Sequence, residues 1–507
     1  MRSDALVAVI LLIGISGCQS HRRDETTLQF IIESSPNNLD LRQGTDAQSE
    51  RVGATIYDAL VQKDEHYNLQ PWLATSWERP DALTWVFHLR NGVRFHDGKP
   101  MGAEDVAWSM RSMIDGSLIT AKGGSFAAVE RVEVSDPLTV VVRMKHADNA
   151  LLFNLSDGLF GVVERGAGKD EGLHPVGTGP FRFVDQVQDK DVIVERNADY
   201  WAGAPQIPRV YFEVVPDNIT TALEMKKGSA DAESNIITQD MVHALAAMPN
   251  LVVEAGPGSR VNYASFNVHD PALRDARVRQ AIAFAIDKPA IIAALWRGNA
   301  VSADTLLPPG HWASANHDEL PQYPHDVQRA RALLDAAGMK PDKDGVRLHF
   351  TMKTSTDETT RLEAQAMQQQ LRAVGIDMSL RPAEFGTFYS DVTKGAFQMY
   401  MLRWIGSNED PDIFRYTAAT DAVPPRGANR GRYSNPRVDA LIADARSQTE
   451  QAAARKEYVE IQQILATDLP TIPLWYPKNV VVHTTRVTNV HPDAGGSFDW
   501  LRTAKLQ

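Results

Sequence analysis

The 507-residue chain is 43% hydrophobic, too long for one simple core and of a size that suggests about two to four lobes. A formal net charge of −12 without a basic stripe argues against a nucleic-acid partner, and the single cysteine excludes an internal disulfide and a cysteine-based metal cage. At the N-terminus, Arg2 supplies a weak positive charge offset by Asp4, and residues 5–15 form an apolar run. That run is too short to span a bilayer, which needs about 20 apolar residues. It ends in Ile15-Ser16-Gly17-Cys18. Small residues before a cysteine resemble a bacterial lipobox, in which Cys18 is lipidated and becomes the mature N-terminus. Residues 1–17 are then a lipoprotein signal peptide, and 18–27 are a polar tether to an acyl anchor. The alternative is an ordinary cleaved signal with an incidental cysteine.

The body begins with a β-rich run over residues 28–32 and a turn at Pro36-Asn37-Asn38. A helix is predicted over 48–60. Residues 83–95 read as a hairpin turning at Asn91-Gly92, because both central residues of a type I′ turn need positive φ. A helix follows over 103–114, with Glu104 and Asp105 in its first turn to suit the dipole. Residues 129–134 and 139–144 flank Asp136-Pro137 as a second hairpin. Gly177-Thr178-Gly179 lacks the GxxxxGK[ST] pattern and the later glycine of GxGxxG, and reads as a structural turn.

The second half alternates helix and strand. A helix is predicted over 275–286, and Asp287 caps the next, with Pro289 in its first turn. Asp326 starts a helix over 327–337 stopped by Gly338. A strand over 346–352, a helix over 359–374 and a strand over 376–380 form a βαβ crossover, expected to be right-handed. Residues 397–404 are apolar or aromatic at both parities, as in a strand covered on both faces of an α/β sheet. The polar loop Ser407-Asn408-Glu409-Asp410-Pro411-Asp412 follows. Open α/β sheets place ligands outside the carboxyl ends of such strands, although these residues are also what ordinary turns are made of. A helix over 451–466 and strands over 471–476 and 480–483 complete the chain.

Catalytic and metal motifs are lacking in the sequence. There is no HExxH, GxSxG or SxxK. His88 and His96 sit in the predicted hairpin, and Glu409, Asp410 and Asp412 straddle a turn.

Several blocks occur in a familiar order: Pro71-Trp72-Leu73-Ala74, Thr84-Trp85-Val86-Phe87 and Leu89-Arg90-Asn91-Gly92-Val93-Arg94-Phe95-His96-Asp97-Gly98. They continue with Pro175-Val176-Gly177-Thr178-Gly179-Pro180-Phe181, then Arg196-Asn197 with Tyr200-Trp201, then Val278-Arg279-Gln280-Ala281-Ile282. In this order they resemble the extracytoplasmic solute-binding proteins of ABC importers, specifically the large oligopeptide/dipeptide-binding family, from about Leu28 to the C-terminus. The resemblance implies an α/β, periplasmic-binding-protein-like two-lobe (Venus-flytrap) fold with an extra N-terminal α/β subdomain. One lobe is expected at 28–57, 174–260 and 483–507, the subdomain at 58–173 and the other lobe at 261–482. Hinge crossings are expected near 261–262 and 481–484.

It further implies a receptor, not an enzyme, with no cofactor or metal, that captures a peptide or peptide-sized solute between its lobes. A monomer is expected, handing the solute to membrane permease subunits while ATP is hydrolysed on separate chains. In peptide-binding members the segment resembling residues 404–414 carries an Asp three residues after the Trp, which pairs with the peptide's α-amino group. Here that position is Ser407, and a hydroxyl cannot supply the charge partner a buried ammonium needs. A non-peptide solute (oligosaccharide, opine-like or a metal complex) and a ligand sensor without transport are the alternatives. The candidate ligand-binding residues are Trp404, Ser407, Asn408 and Glu409, with Tyr263 and Asn267 on the segment entering the second lobe. Core packing is the competing role for Tyr263 and Trp404.

Overall fold

The computed structural model of the protein describes residues 25–406, 409–448 and 450–507; the expected signal peptide, Cys18 and most of the tether lie outside the described residues. Two large sheets dominate. The first has seven strands in the order Leu251–Gly256, Asn479–Thr484, Ala232–Ser234, Thr27–Ile32, Arg209–Val214, Asp191–Arg196 and Phe181–Val187. The second has six, in the order Ala300–Ser302, Thr471–Pro477, Val261–Phe266, Met399–Trp404, Leu348–Ser355 and Ile376–Ala383. Each is covered by helices, so each forms an α/β lobe around its own apolar core. Among the described residues no helix is long and apolar enough to cross a membrane.

Local sequence explains the helices of the second lobe. Asp275 accepts the Arg277 backbone N–H at 2.9 Å and so caps the helix Ala276–Ala285. Asp287 does the same for Lys288–Leu295 through the Ala290 N–H at 2.9 Å. The strand Leu348–Ser355, the helix Glu358–Arg372 and the strand Ile376–Ala383 form the predicted βαβ unit, paired in parallel with Leu348 opposite Ile376. The helix buries Ala364, Met367 and Leu371 against the sheet, and Gly375 at φ 85° turns the chain into the second strand. Met399–Trp404 lies inside the sheet, antiparallel to Val261–Phe266 and parallel to Leu348–Ser355. In the first lobe the predicted helix 48–60 is shorter, Ala47–Ile56, capped by Asp46 and ended by the extended Tyr57.

A smaller four-stranded sheet forms a third module, in the order Ala74–Asp81, Thr84–Leu89, Thr139–Met144 and Val129–Asp136, with the helix Ala103–Ile114 packed on it. The hairpin around Asp136-Pro137 forms as expected. The one expected at Asn91-Gly92 does not. Gly92 does adopt φ 82°, but Thr84–Leu89 pairs instead with Ala74–Asp81 on one side and Thr139–Met144 on the other. Both edges of the strand are thus occupied, and residues 93–95 fold back on the next turn, with the Phe95 N–H donating to the Lys99 carbonyl at 2.9 Å.

The chain leaves the seven-stranded sheet after Gly256 and enters the six-stranded sheet at Val261; it returns between Pro477 and Asn479. The return comes before the expected 481–484, because Val480, Val481 and Val482 already belong to the seven-stranded ladder, where Val482 faces Glu233 and Val253. The two crossings touch: a Cβ on Gly258 would sit 1.9 Å from the Pro477 carbonyl oxygen. Beside them the fully buried Glu363 carboxylate accepts from Trp296 Nε1 at 2.9 Å, Trp475 Nε1 at 3.0 Å and Asn262 Nδ2 at 3.2 Å. It therefore joins the two strands that carry the crossings.

Candidate functional site

Between the sheets lies a cavity of about 610 Å³. Its walls include the residues that follow four strands: Glu33, Asn235, Pro257, and the run Ile405, Gly406 and Glu409. These are the carboxyl ends of strands in both lobes, the place where open α/β sheets present loops to ligands. A two-stranded ribbon, Val61–Lys63 with Leu69–Pro71, packs on the four-stranded module as part of it; this module supplies another wall with Lys63, Asp64, Tyr67 and Asp157, and the C-terminal segment adds Asp493, Phe498 and Arg502.

The second-lobe wall grows out of Met399–Trp404. The strand emerges from the sheet, Gly406 turns at φ 76°, and the Glu409 N–H donates to the Gly406 carbonyl at 2.9 Å. That turn buries the Glu409 carboxylate, where it pairs with Lys63 Nζ at 2.8 Å. The pair crosses from the second lobe to the four-stranded module. Burial alone would lower the Lys63 amine, but the carboxylates of Asp157, Glu409 and Asp493 outweigh it and hold its pKa above the ordinary lysine range.

His311 fixes the Glu409 backbone. Its Nδ1 accepts the Ala313 N–H at 3.0 Å, which leaves Nε2 to donate to the Glu409 carbonyl at 3.0 Å. Burial pulls this imidazole down to about 4, so it is neutral at pH 7. Two further contacts run across the same seam: the Trp312 N–H donates to the His66 carbonyl at 3.1 Å, and Gln451 Nε2 donates to Asn68 Oδ1 at 3.1 Å.

Asp58, 4% exposed, borders the cavity and accepts four hydrogen bonds. Trp72 Nε1 and the Tyr200 hydroxyl donate to Oδ1, at 2.8 and 2.9 Å; the Thr178 hydroxyl and Trp201 Nε1 donate to Oδ2, both at 2.9 Å. Three of the sequence blocks quoted above therefore meet at one carboxylate. Its lone pairs are used, so its role here is to hold structure.

Of the candidate residues, Glu409 lines the cavity. Ser407 and Asn408 lie outside the described residues. Trp404 and Tyr263 stack at 5.8 Å with an interplanar angle of 9°. Arg430 bridges them, donating from Nη1 to the Tyr263 hydroxyl at 3.0 Å with its guanidinium 5.2 Å from the Trp404 ring centroid. Tyr263 is buried in the second-lobe core, and burial raises its phenol. Asn267 is occupied at the far end of its strand, donating to the Phe397 carbonyl and accepting the His269 N–H. Trp404, Tyr263 and Asn267 are not among the lining residues. Sequence reasoning passed over Lys63, Asp157, Asp493, Arg51 and Arg260, which line the cavity from separate segments and carry no motif.

Comparison with known proteins agrees with this architecture. The probable di/tripeptide-binding protein 5 of Pseudomonas aeruginosa (strain UCBPP-PA14) is 28% identical over 510 residues, covering 94% of this chain and 95% of its own length. The glutathione-binding protein GsiB of Salmonella choleraesuis (strain SC-B67) is 28% identical over 482 residues, covering 92% and 93%. Among solved structures, the ABC transporter-associated periplasmic binding protein DppA from Helicobacter pylori, in complex with peptide STSA, superposes with a TM-score of 0.74 at 26% identity, covering 95% of this chain and 98% of that one. The family model for bacterial extracellular solute-binding proteins, family 5 (middle), matches residues 68–423. With its two-lobe α/β fold and a cavity between the lobes, this chain belongs to family 5 of the bacterial extracellular solute-binding proteins.

Proposed function

We propose that the protein is the solute receptor of an ABC importer, taking a peptide or peptide-sized solute into the interlobe cavity and delivering it unchanged to a membrane permease. The observation that carries this reading is the cavity itself, about 610 Å³ and walled by both lobes and the third module. That volume falls within the range of about 300–1,000 Å³ found for small-molecule sites. A solute held between two lobes is desolvated on both sides and favours the closed arrangement over the open one. The names of the relatives, binders of di- and tripeptides and of glutathione, support a solute of this size. The chain has no catalytic role in this reading, and ATP is hydrolysed on separate subunits. It is anchored outside the cytoplasm by a lipid on Cys18, with lobes at 28–57, 174–260 and 479–507 and at 261–478, and the subdomain at 58–173.

A second reading, a solute without a free α-amine, is favoured by one observation. Ser407 stands where the peptide-binding pattern has an aspartate, and the nearby Glu409 carboxylate is already held by Lys63. Native mass spectrometry of the purified protein tests both readings. One intact solute per chain is expected. Recovery of a chemically altered solute would overturn the receptor reading, and strong stabilisation by all free-amine di- to pentapeptides would overturn the second.

A further inference from the structure

Four cationic side chains line the interlobe cavity: Arg51, Lys63, Arg260 and Arg502. Two are paired, Lys63 with Glu409 at 2.8 Å and Arg502 with Asp499 at 3.0 Å. The other two are not. Neither Arg51 nor Arg260 makes a hydrogen bond or ion pair among the described residues, and Arg260 Nε is buried without a partner. Their other neighbours are aromatic faces, Trp296 at 5.9 Å from the Arg260 guanidinium and Phe498 at 6.0 Å from that of Arg51.

The electrostatic surroundings add to the mismatch. Burial pulls Arg260 down to about 10, and the guanidinium groups of Arg403 and Arg51 act in the same direction against Glu363 and Glu33. Arg51 is lowered by burial too, with Glu33, Asp493 and Glu50 only partly compensating. Both side chains are half-buried, and a guanidinium's planar fork matches a carboxylate in two parallel hydrogen bonds. Arg260 lies at the end of the first crossing, immediately before the strand Val261–Phe266, so the vacant charge sits on the hinge side of the cavity.

We propose that the hinge side of the cavity is a carboxylate subsite, in which Arg260 and Arg51 receive the carboxylate of the bound solute. The solute class is then a small acid or zwitterion, not a neutral sugar or a simple amine. This rests on the interlobe cavity being the solute site, and it deepens that reading by naming the group recognised there. The subsite also couples binding to closure, because Arg260 is carried on the crossing and Arg51 on the helix Ala47–Ile56 of the first lobe.

The test uses the full chain, stripped of solute, as wild type, Arg260→Met and Arg51→Met. The probes are a tripeptide pool, the same pool methyl-esterified, a mixture of small organic acids and a mixture of organic phosphates, read by thermal shift and calorimetry. The free-acid pool should stabilise the wild type and the esterified pool should not. Each variant should bind the free acids about tenfold more weakly or worse. Without solute, Arg260→Met should melt at the same temperature or higher, because it removes a half-buried charge that has no partner. Equal binding of free and esterified pools, or unchanged binding by both variants, would overturn the subsite and leave the peptide receptor standing. If neither peptide pool binds but organic acids bind in an Arg260-dependent way, the peptide reading fails and the subsite stands. Binding of phosphates alone, or of no anion at all, overturns the carboxylate assignment. So does a solute-free Arg260→Met protein that melts several degrees lower, since that would give the guanidinium a structural role.

Discussion

Replacing Lys63 by methionine should open the molecule. The Lys63–Glu409 pair is 2.8 Å long, with side-chain exposures of 14% and 4%, and it joins the third module to the second lobe at the cavity wall. At an effective dielectric constant of about 20, two unit charges at that distance attract by roughly 6 kcal/mol, most of which desolvation offsets. Removing one partner is different, because the other stays buried without compensation, at a cost of about 3–5 kcal/mol. Here Lys63 also stands near Asp157 and Asp493, so its loss leaves three carboxylates sharing one pocket. Opening the cleft rehydrates them, and the cost therefore falls on the closed form alone. Taking the lower figure, about 3 kcal/mol, the closed population and the apparent solute affinity should each fall roughly 100-fold. Calorimetry with the co-purified solute and small-angle scattering without it would read the two effects. The double variant Lys63→Met, Glu409→Gln removes one of the three carboxylates, the one carried by the second lobe, and should regain part of the compactness. A Lys63→Met protein as compact and as tight-binding as the wild type, or a double variant no more compact than the single, would refute the reasoning.

Three further outcomes are expected. Burial pushes the Glu363 carboxyl up to about 7; an acid that keeps its proton longer when folded loses stability as pH rises from the ordinary carboxyl range through that value, and the loss is complete above it. Glu363→Gln should therefore melt higher than the wild type at about pH 8, by the equivalent of roughly 2–3 kcal/mol, with the gap closing toward about pH 5; a gap that does not vary with pH would contradict this. Asp58→Asn turns one oxygen that accepts two hydrogen bonds into a donor, and denaturant unfolding should show a loss of about 2–4 kcal/mol. Gly258→Ala places a methyl group against the Pro477 carbonyl and should cost about 1–3 kcal/mol in the same assay, with altered solute affinity because the crossings shift.

Much of the second lobe was legible because its signals are local. Asp287 and Asp326 each cap the helix they precede, as read, and the strand at 399–404 carries apolar residues on both faces because both faces pack on a core. The Asn91-Gly92 hairpin misled because a turn dipeptide fixes the bend and not the partner; the partner was decided by Ala74–Asp81 and Thr139–Met144 competing for the same strand edges. The return crossing was placed late because Val480, Val481 and Val482 read as strand in either sheet, and only the ladder with Ala232–Ser234 decides between them. At the site, Glu409 was visible as part of a polar loop after a buried strand. Lys63, Asp157 and Asp493 were not, since three isolated charges on three separate segments gain meaning only when the lobes bring them to one point.

The knot at Asp58 determines which parts move. Trp72 comes from the four-stranded module, while Thr178 precedes the strand Phe181–Val187 and Tyr200 and Trp201 lie between the strands Asp191–Arg196 and Arg209–Val214 of the seven-stranded sheet, and one carboxylate binds all four. Module and first lobe are thereby fastened into one jaw. Lys63, His66 and Asn68 ride on that jaw, and their partners Glu409, Trp312 and Gln451 ride on the other. Asp148 and Asn149 of the same jaw add contacts to Arg446 at 3.4 Å and to the Gln448 carbonyl at 2.9 Å, so parting the jaws means breaking a row of polar contacts spread along one seam and not a single latch.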